Sequence, residues 1–225
     1  MRKLLVMLAI LVAISPLYAL SVKSCKDAEQ VVDHDYFVLG YDEDTECPLY
    51  VEYTLSSDEV RELGSVERKD DFREDDKILT GSASPKDYYK SGYDKGHLFP
   101  SYHGTFCFEA DNLSFLMSNM TPQRHSMNAG AWKTLEMETI DIARDYGDVV
   151  RICGPIFDKD GNIEYFGKNR VGIPSRFFNI ISYVKNGVEV IECTIVTNGA
   201  TKDEVKVTKA KLSTIERLTG IEFYK

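Results

Sequence analysis

The sequence predicts an α+β domain, a mainly antiparallel β-sheet interrupted by one long helix. Three observations point there. Stretches with strand character at 49–54, 113–121, 149–153, 177–184 and 188–196 outnumber helical ones. Asn186-Gly187 lies between the last two, the dipeptide of a tight antiparallel hairpin. Residues 127–146 read as the longest helix, ended by Gly147.

Taken in order, residues 1–20 (MRKLLVMLAILVAISPLYAL) are a separate object. Arg2 and Lys3 precede an apolar run of eleven residues from Leu4 to Ile14, and Pro16 breaks the run ahead of the small Ala19. This is the pattern of a secretory signal peptide, cleaved near Ala19 or Leu20. The run is shorter than the roughly 18–20 apolar residues a membrane anchor needs. Lys23, two residues before Cys25, fits a lipidation site poorly. The expected location is therefore secreted or periplasmic, with no stable membrane association after cleavage.

Residues 21–47 are polar and acidic and read as a lead-in segment, irregular or with one short strand, ahead of a domain at 48–225. Leu49, Val51 and Tyr53 alternate with polar or half-polar neighbours, which is strand periodicity. Ser57 with Val60 and Leu63 reads as a short capped helix, and 68–91 as a charged surface excursion. A last helix near 212–219 precedes Gly220.

With 43% hydrophobic and 28% charged residues, thirteen Tyr and eleven Phe, the 225-residue chain has core material enough to exclude wholesale disorder. Its net charge is −9, and loss of residues 1–20 removes two positive charges and takes it to −11. That argues against a protein that holds nucleic acid stoichiometrically, which needs clustered cations, but not against an enzyme that lets nucleic acid go. Of the five cysteines, Cys25 and Cys47 are the first pair to expect as a disulfide, while Cys153 and Cys193 lie in apolar runs that suit buried thiols. No Cys-x-x-Cys pair exists to support a zinc ribbon.

The informative stretch is 92–136. Gly96 permits a tight turn that presents His97 at a strand end, Asn119 follows on the next strand, and Asn128 opens a helix after Pro122. Asn128, Trp132 and Glu136 recur every fourth residue and share one helical face. A neutral imidazole facing an amide oxygen and a carboxylate can deprotonate water beside a hydrated Mg²⁺, which prefers oxygen ligands and keeps several waters. Asp94 and the ion push the titration of His97 in opposite directions.

Those residues resemble the non-specific DNA/RNA endonucleases of the ββα-metal (His-Me finger) group, which includes mitochondrial endonuclease G. The group's hallmark is Asp-Arg-Gly-His, then Asn-x-x-Pro-Gln, then a helix with Asn-x-x-x-Trp-x-x-x-Glu. This chain has Asp94-Lys95-Gly96-His97, Asn119-Met120-Thr121-Pro122-Gln123, and Asn128 with Trp132 and Glu136. The likeness extends to FREDD (72–76), CGPIF (153–157), IPSRFF (173–178) and IERLTG (215–220), so it covers roughly 48–225. It implies a ββα-metal motif and Mg²⁺-dependent hydrolysis of DNA and RNA with little sequence preference, leaving 5′-phosphate ends, with Mn²⁺ as a substitute ion. By the same resemblance His97 is the general base, Asn128 the direct metal ligand, Glu136 the group that orients water on the metal, and Asn119 the brace. Arg68 is a candidate phosphate contact. Lys95 stands where the group usually has Arg, keeping the charge but losing the bidentate fork.

Plainer readings stand beside these. Trp132 suits core packing, and Asn128 could serve as a helix N-cap. Glu138 and Asp141 fit a solvated helix face. His97, His103, Cys107 and His125 could be assembled into a zinc site, though their spacing is irregular. The acidic runs at 33–46 and 71–76 suit solvated surface or weak Ca²⁺ binding. The alternative of another class is a secreted nucleic-acid-binding or scavenging module with a degenerate site; a nuclease of narrower substrate range is the alternative within the enzymes.

Overall fold

The computed structural model describes residues 20–158 and 163–224. The expected signal segment, Leu20 apart, lies outside the described residues. The chain begins with strands β1 (Ser21–Cys25), β2 (Gln30–Asp33), β3 (Val38–Asp42) and β4 (Cys47–Leu55), then helix α1 (Ser57–Arg61). After a long loop come β5 (Asp94–His97), α2 (Ser101–Gly104), α3 (Phe108–Ser114) and β6 (Met120–Gln123). Helix α4 (His125–Met127) runs through a π-type stretch, Asn128–Trp132, into α5 (Lys133–Tyr146). The rest comprises β7 (Val149–Ile156), β8 (Tyr165–Phe166), β9 (Val171–Gly172), β10 (Arg176–Lys185), β11 (Val188–Thr197), β12 (Val207–Ala210), α6 (Leu212–Thr219) and β13 (Ile221–Tyr224).

Seven strands form one sheet in the order β12-β11-β10-β7-β4-β3-β2, each pair antiparallel. The expected hairpin joins β10 to β11, with Asn186 and Gly187 at φ 53 and 78, the positive values a primed turn requires. Period-two alternation sorts the central strands between two cores. Val51, Tyr53, Val149, Cys153, Phe177 and Ile181 face α5, meeting Trp132, Leu135 and Ile140. Tyr50, Val150, Ile152, Phe178 and Ile180 face the other way, against Ile215 of α6 and Ile221 and Phe223 of β13. With both faces covered, β7 is buried along its whole length. The sheet is therefore the rigid middle layer, and α5 is bolted to one side of it. Among the described residues, no helix is long and apolar enough to cross a membrane.

Several sequence expectations change. Residues 21–47 supply three strands: β2 and β3 extend the main sheet, and β1 pairs with β13. Their Asp and Glu residues hid a half-buried alternation. The cap of α1 is Ser56 rather than Ser57, in a capping box where its Oγ accepts from Glu59 N and Glu59 Oε2 accepts from Ser56 N. The stretch 113–121 is mostly not strand: it ends α3, makes a tight turn at Met117–Asn119 and becomes extended only at Met120. The loop 68–91 is no simple surface excursion, because Asp75, Ile78, Ala83, Asp87 and Tyr88 are buried. Asp75 accepts from Ser118 Oγ and lies 2.9 Å from His34 Nε2, so part of the acidic run is internal wiring. All five cysteines are unpaired. Cys25 packs beside the α6 core, whereas Cys47 lies in a separate cluster under the long loop, its thiol directed at Gly172 O.

Candidate active site

Strands β5 and β6 pair antiparallel with Gly96 opposite Thr121 and His97 opposite Met120, and the chain then enters α4 and α5. This is the expected strand–strand–helix unit. Gly96 serves it differently from the expected tight turn: a Cβ there would lie 2.1 Å from the buried Gln123 side chain, so any larger residue must displace Gln123 across the pair. Lys95 and His97, two residues apart on one strand, line the same cavity of about 710 Å³, together with Arg68, Asn128, Lys133 and Glu136.

The His97 ring is walled edge-on by Phe72 (centroids 5.6 Å apart) and Phe115 (5.3 Å). Its backbone carbonyl accepts from Trp132 Nε1 at 3.1 Å. Nε2 is buried and has no hydrogen-bond partner. Burial, then the positive charge of Arg68, push the imidazole down to about 3; Asp70 opposes them, and Lys95 adds a smaller downward push. The acidic neighbour acting on His97 is thus Asp70, not the expected Asp94. At neutral pH the ring carries a free lone pair.

Asp94 does other work. Its Oδ2 accepts from Asn128 Nδ2 at 2.9 Å and lies 2.9 Å from Nδ1 of the exposed His125. Holding the amide nitrogen leaves Oδ1 of Asn128 as the atom available to a cation or water. Asn128 is not an N-cap, since it begins a π-type stretch with helical neighbours on both sides. That stretch also breaks the every-fourth-residue face: Trp132 turns into the core, and Asn128, Lys133 and Glu136 line the cavity. The Glu136 carboxyl is pushed up to about 7 by burial, against the opposing charges of Arg151, Lys133 and Arg68.

Asn119 stands behind the cavity, fully buried. Its Oδ1 accepts from Phe99 N at 2.8 Å, and its Nδ2 donates to Phe99 O and Ser114 O at 2.9 and 2.8 Å. It ties the backbone just after His97 to the end of α3. Arg68 lies on the rim, its guanidinium bonded to Asp70 and 5.2 Å above the Phe115 ring. Lys95 Nζ sits 4.4 Å from the Phe72 ring centre. The structure thus brings five of the six sequence-derived site residues around one cavity and places Asn119 behind it.

The zinc alternative is not assembled. His103 is buried and bonded to Tyr53 and to Glu136 O, Cys107 contacts Tyr36, and His125 is exposed beside Asp94. Among the described residues, the one group of potential ligands close enough to share an ion is Glu29, Asp42 and Asp44, in the 33–46 acidic run and its strand neighbour. The sequence reading missed Lys133 and Asp94's hold on Asn128. Lys133 shares a face of α5 with Glu136, three residues on, and that spacing is the signal that could have found it.

The residues offer a metal hard oxygen donors and an imidazole base on one wall, the chemistry of metal-assisted phosphodiester hydrolysis. The sequence model of DNA/RNA non-specific endonucleases matches residues 18–225. The chain belongs to that family. The match begins well before residue 48, so the first three strands are part of the family domain. Human mitochondrial endonuclease G is 32% identical over 206 residues, covering 86% of this chain and 69% of that protein. The mitochondrial nuclease EXOG of Xenopus laevis is 30% identical and covers 88% of this chain, which spans 58% of the relative's length. A nuclease of Nostoc sp. is 28% identical over 93% of the chain and 78% of its own. The crystal structure of the EndoG/EndoGI complex superposes with a TM-score of 0.78 at 27% identity, over 86% of this chain and 84% of that one. This endonuclease is accordingly a nucleic-acid hydrolase of a metal-dependent family.

Proposed function

We propose that the protein is an exported, Mg²⁺-dependent endonuclease that cuts DNA and RNA internally with little sequence preference, leaving 5′-phosphate ends. The observation that carries this reading is the neutral imidazole of His97, which lines one cavity with Asn128, Glu136 and the cations Arg68 and Lys95. Asn128 would hold the ion through its amide oxygen, and Glu136 would reach it through water. When bound, the ion offsets charge on the phosphate and leaving oxygens. Arg68, Lys95 and Lys133 receive the phosphodiester. Its negative charge among those cations counters their pull on His97 and raises the proton affinity of the ring. The neutral imidazole of His97 then takes the proton from the attacking water, while Phe72 and Phe115 wall the ring. The n-region and apolar run of residues 1–20 support export, although the endonuclease G and EXOG relatives are mitochondrial by name.

Supercoiled plasmid incubated with the protein and Mg²⁺ should become nicked and then linear, EDTA should stop this, and end-labelling should find 5′-phosphates. Matched single- and double-stranded DNA and RNA should all be consumed. Plasmid left supercoiled by correctly folded protein would instead favour the binding-module alternative. N-terminal sequencing of the mature chain should begin near Ser21, and an intact Met1 would refute export by cleavage.

A further inference from the structure

In the middle of the apolar strand β7 stands a fully buried charge. Arg151 shows no exposure, and neither do its surroundings: Tyr53, directly opposite on β4, and Asn179 on β10 are also buried. Nε donates to Asn179 Oδ1 at 2.6 Å, and Nη1 donates to Tyr53 Oη at 3.1 Å. Nη2 has no partner, and Cζ lies 5.1 Å from the centre of the Trp132 ring. No carboxylate closes an ion pair with it among the described residues; the carboxylate whose charge reaches it is Glu136.

The donor inventory gives this cluster a direction. A guanidinium only donates, so the Tyr53 oxygen accepts, and its own hydrogen is left for Nδ1 of His103 at 2.9 Å. With Nδ1 accepting, the neutral His103 ring keeps its proton on Nε2 and donates it to the backbone carbonyl of Glu136 at 3.1 Å. On its other side, the guanidinium lies over the indole whose N–H holds the backbone carbonyl of His97. Two chains of contacts thus run from one buried cation to the backbones of two residues that line the cavity.

We propose that Arg151 is a positioning residue of the nuclease site, setting Glu136 through Tyr53 and His103 and His97 through Trp132. This rests on the reading that His97 and Glu136 act in hydrolysis. Strand packing alone does not account for the residue. Its sequence neighbours on the same face, Val149 and Cys153, fill that core without a charge. A buried cation lacking a carboxylate partner is expensive to keep. Here its charge polarises the relay to Glu136 and attracts the indole face.

Tyr53→Phe keeps the ring and deletes one oxygen, interrupting one arm alone. Arg151→Met and Arg151→Lys test the hub. All are assayed for kcat and KM on a short duplex in Mg²⁺, for melting temperature in EDTA, and for the His103 tautomer by long-range ¹H–¹⁵N NMR. The parent should show His103 protonated on Nε2, and Tyr53→Phe should lose that preference. Its kcat should fall about 10-fold or more, as when groups behind a metal site are removed, with KM within about twofold. Arg151→Lys should recover part of the kcat lost in Arg151→Met. A parent His103 protonated on Nδ1, or a Tyr53→Phe enzyme with parental kcat, would overturn the proposal. Should Arg151→Met fail to fold, Tyr53→Phe and the tautomer decide. His97→Ala separates the two failures: if it stays active, the site reading falls; if it is inactive beside an unimpaired Tyr53→Phe, only the role of Arg151 falls.

Discussion

His97 at the end of β5 and His103 in α2 are two imidazoles lining the same cavity. Burial pushes both down to about 3 and keeps both neutral, with Arg68 adding to the effect at His97 and Arg151 at His103. They differ in their partners. Both ring nitrogens of His103 are bonded, to Tyr53 and to Glu136 O, whereas Nε2 of His97 has none. Desolvation alone therefore does not make a base. It sets the protonation state, and the missing partner leaves a lone pair free to take a proton. His103 spends its lone pair on structure.

The difference can be broken most severely at His97. His97→Ala should lower plasmid cleavage by about 10²–10⁴-fold while the melting temperature in EDTA stays near the parent's; parental cleavage by that variant would refute the assignment. Next comes Asp94, which holds Asn128. Asp94→Ala should weaken the apparent Mg²⁺ affinity by about 10–100-fold, read from activity against Mg²⁺ concentration, with cleavage at saturating Mg²⁺ less affected. An unchanged Mg²⁺ curve would mean that Asn128 needs no such hold.

A third effect lies in stability. For both imidazoles the folded-state value of about 3 lies below the unfolded value near 6.5, so the unfolded chain takes up protons first. Their stability contribution is complete above about pH 6.5 and is lost as pH falls toward 3. Glu136 has the opposite sign, since its folded value of about 7 exceeds a free glutamate's ordinary 4.5 and stability falls as pH rises through that window. Denaturant titrations in EDTA should therefore find His97→Gln less acid-sensitive than the parent, and Glu136→Gln flatter between pH 4.5 and 7. Parallel parental and variant curves would contradict the burial argument. The smallest change is expected from His125→Ala. That imidazole is exposed and its pairing with Asp94 is solvent-screened, so melting temperature and activity should stay close to the parent's.

Much of this was legible in the sequence because the informative signals were local. The β10–β11 hairpin is written in Asn186-Gly187, the ends of α5 and α6 in Gly147 and Gly220, and the metal motif in residues 94–136. What was not legible depends on contacts distant in sequence. The acidic 21–47 segment becomes strand only because β4 and β13 offer edges to pair with. Residues 108–119 combine a helix with a tight turn whose shape is held by Asn119, and their apolar composition does not distinguish that from a strand. No spacing rule foresees the π-type stretch between Asn128 and α5. Arg151 left one trace, a charge inside the apolar run VVRIC, which read as an ordinary strand because its partners lie on β4 and β10.

The pairing of β1 with β13 has a consequence for how the molecule is made. Ser21 sits opposite Tyr224 and Cys25 opposite Ile221, so the first strand finds its partner in residues that leave the ribosome some two hundred positions later. Synthesis cannot close this part of the fold until residues 221–224 have emerged. The core of Leu20, Ile215, Ile221 and Phe223 waits with it. Contacts this distant in sequence also form slowly.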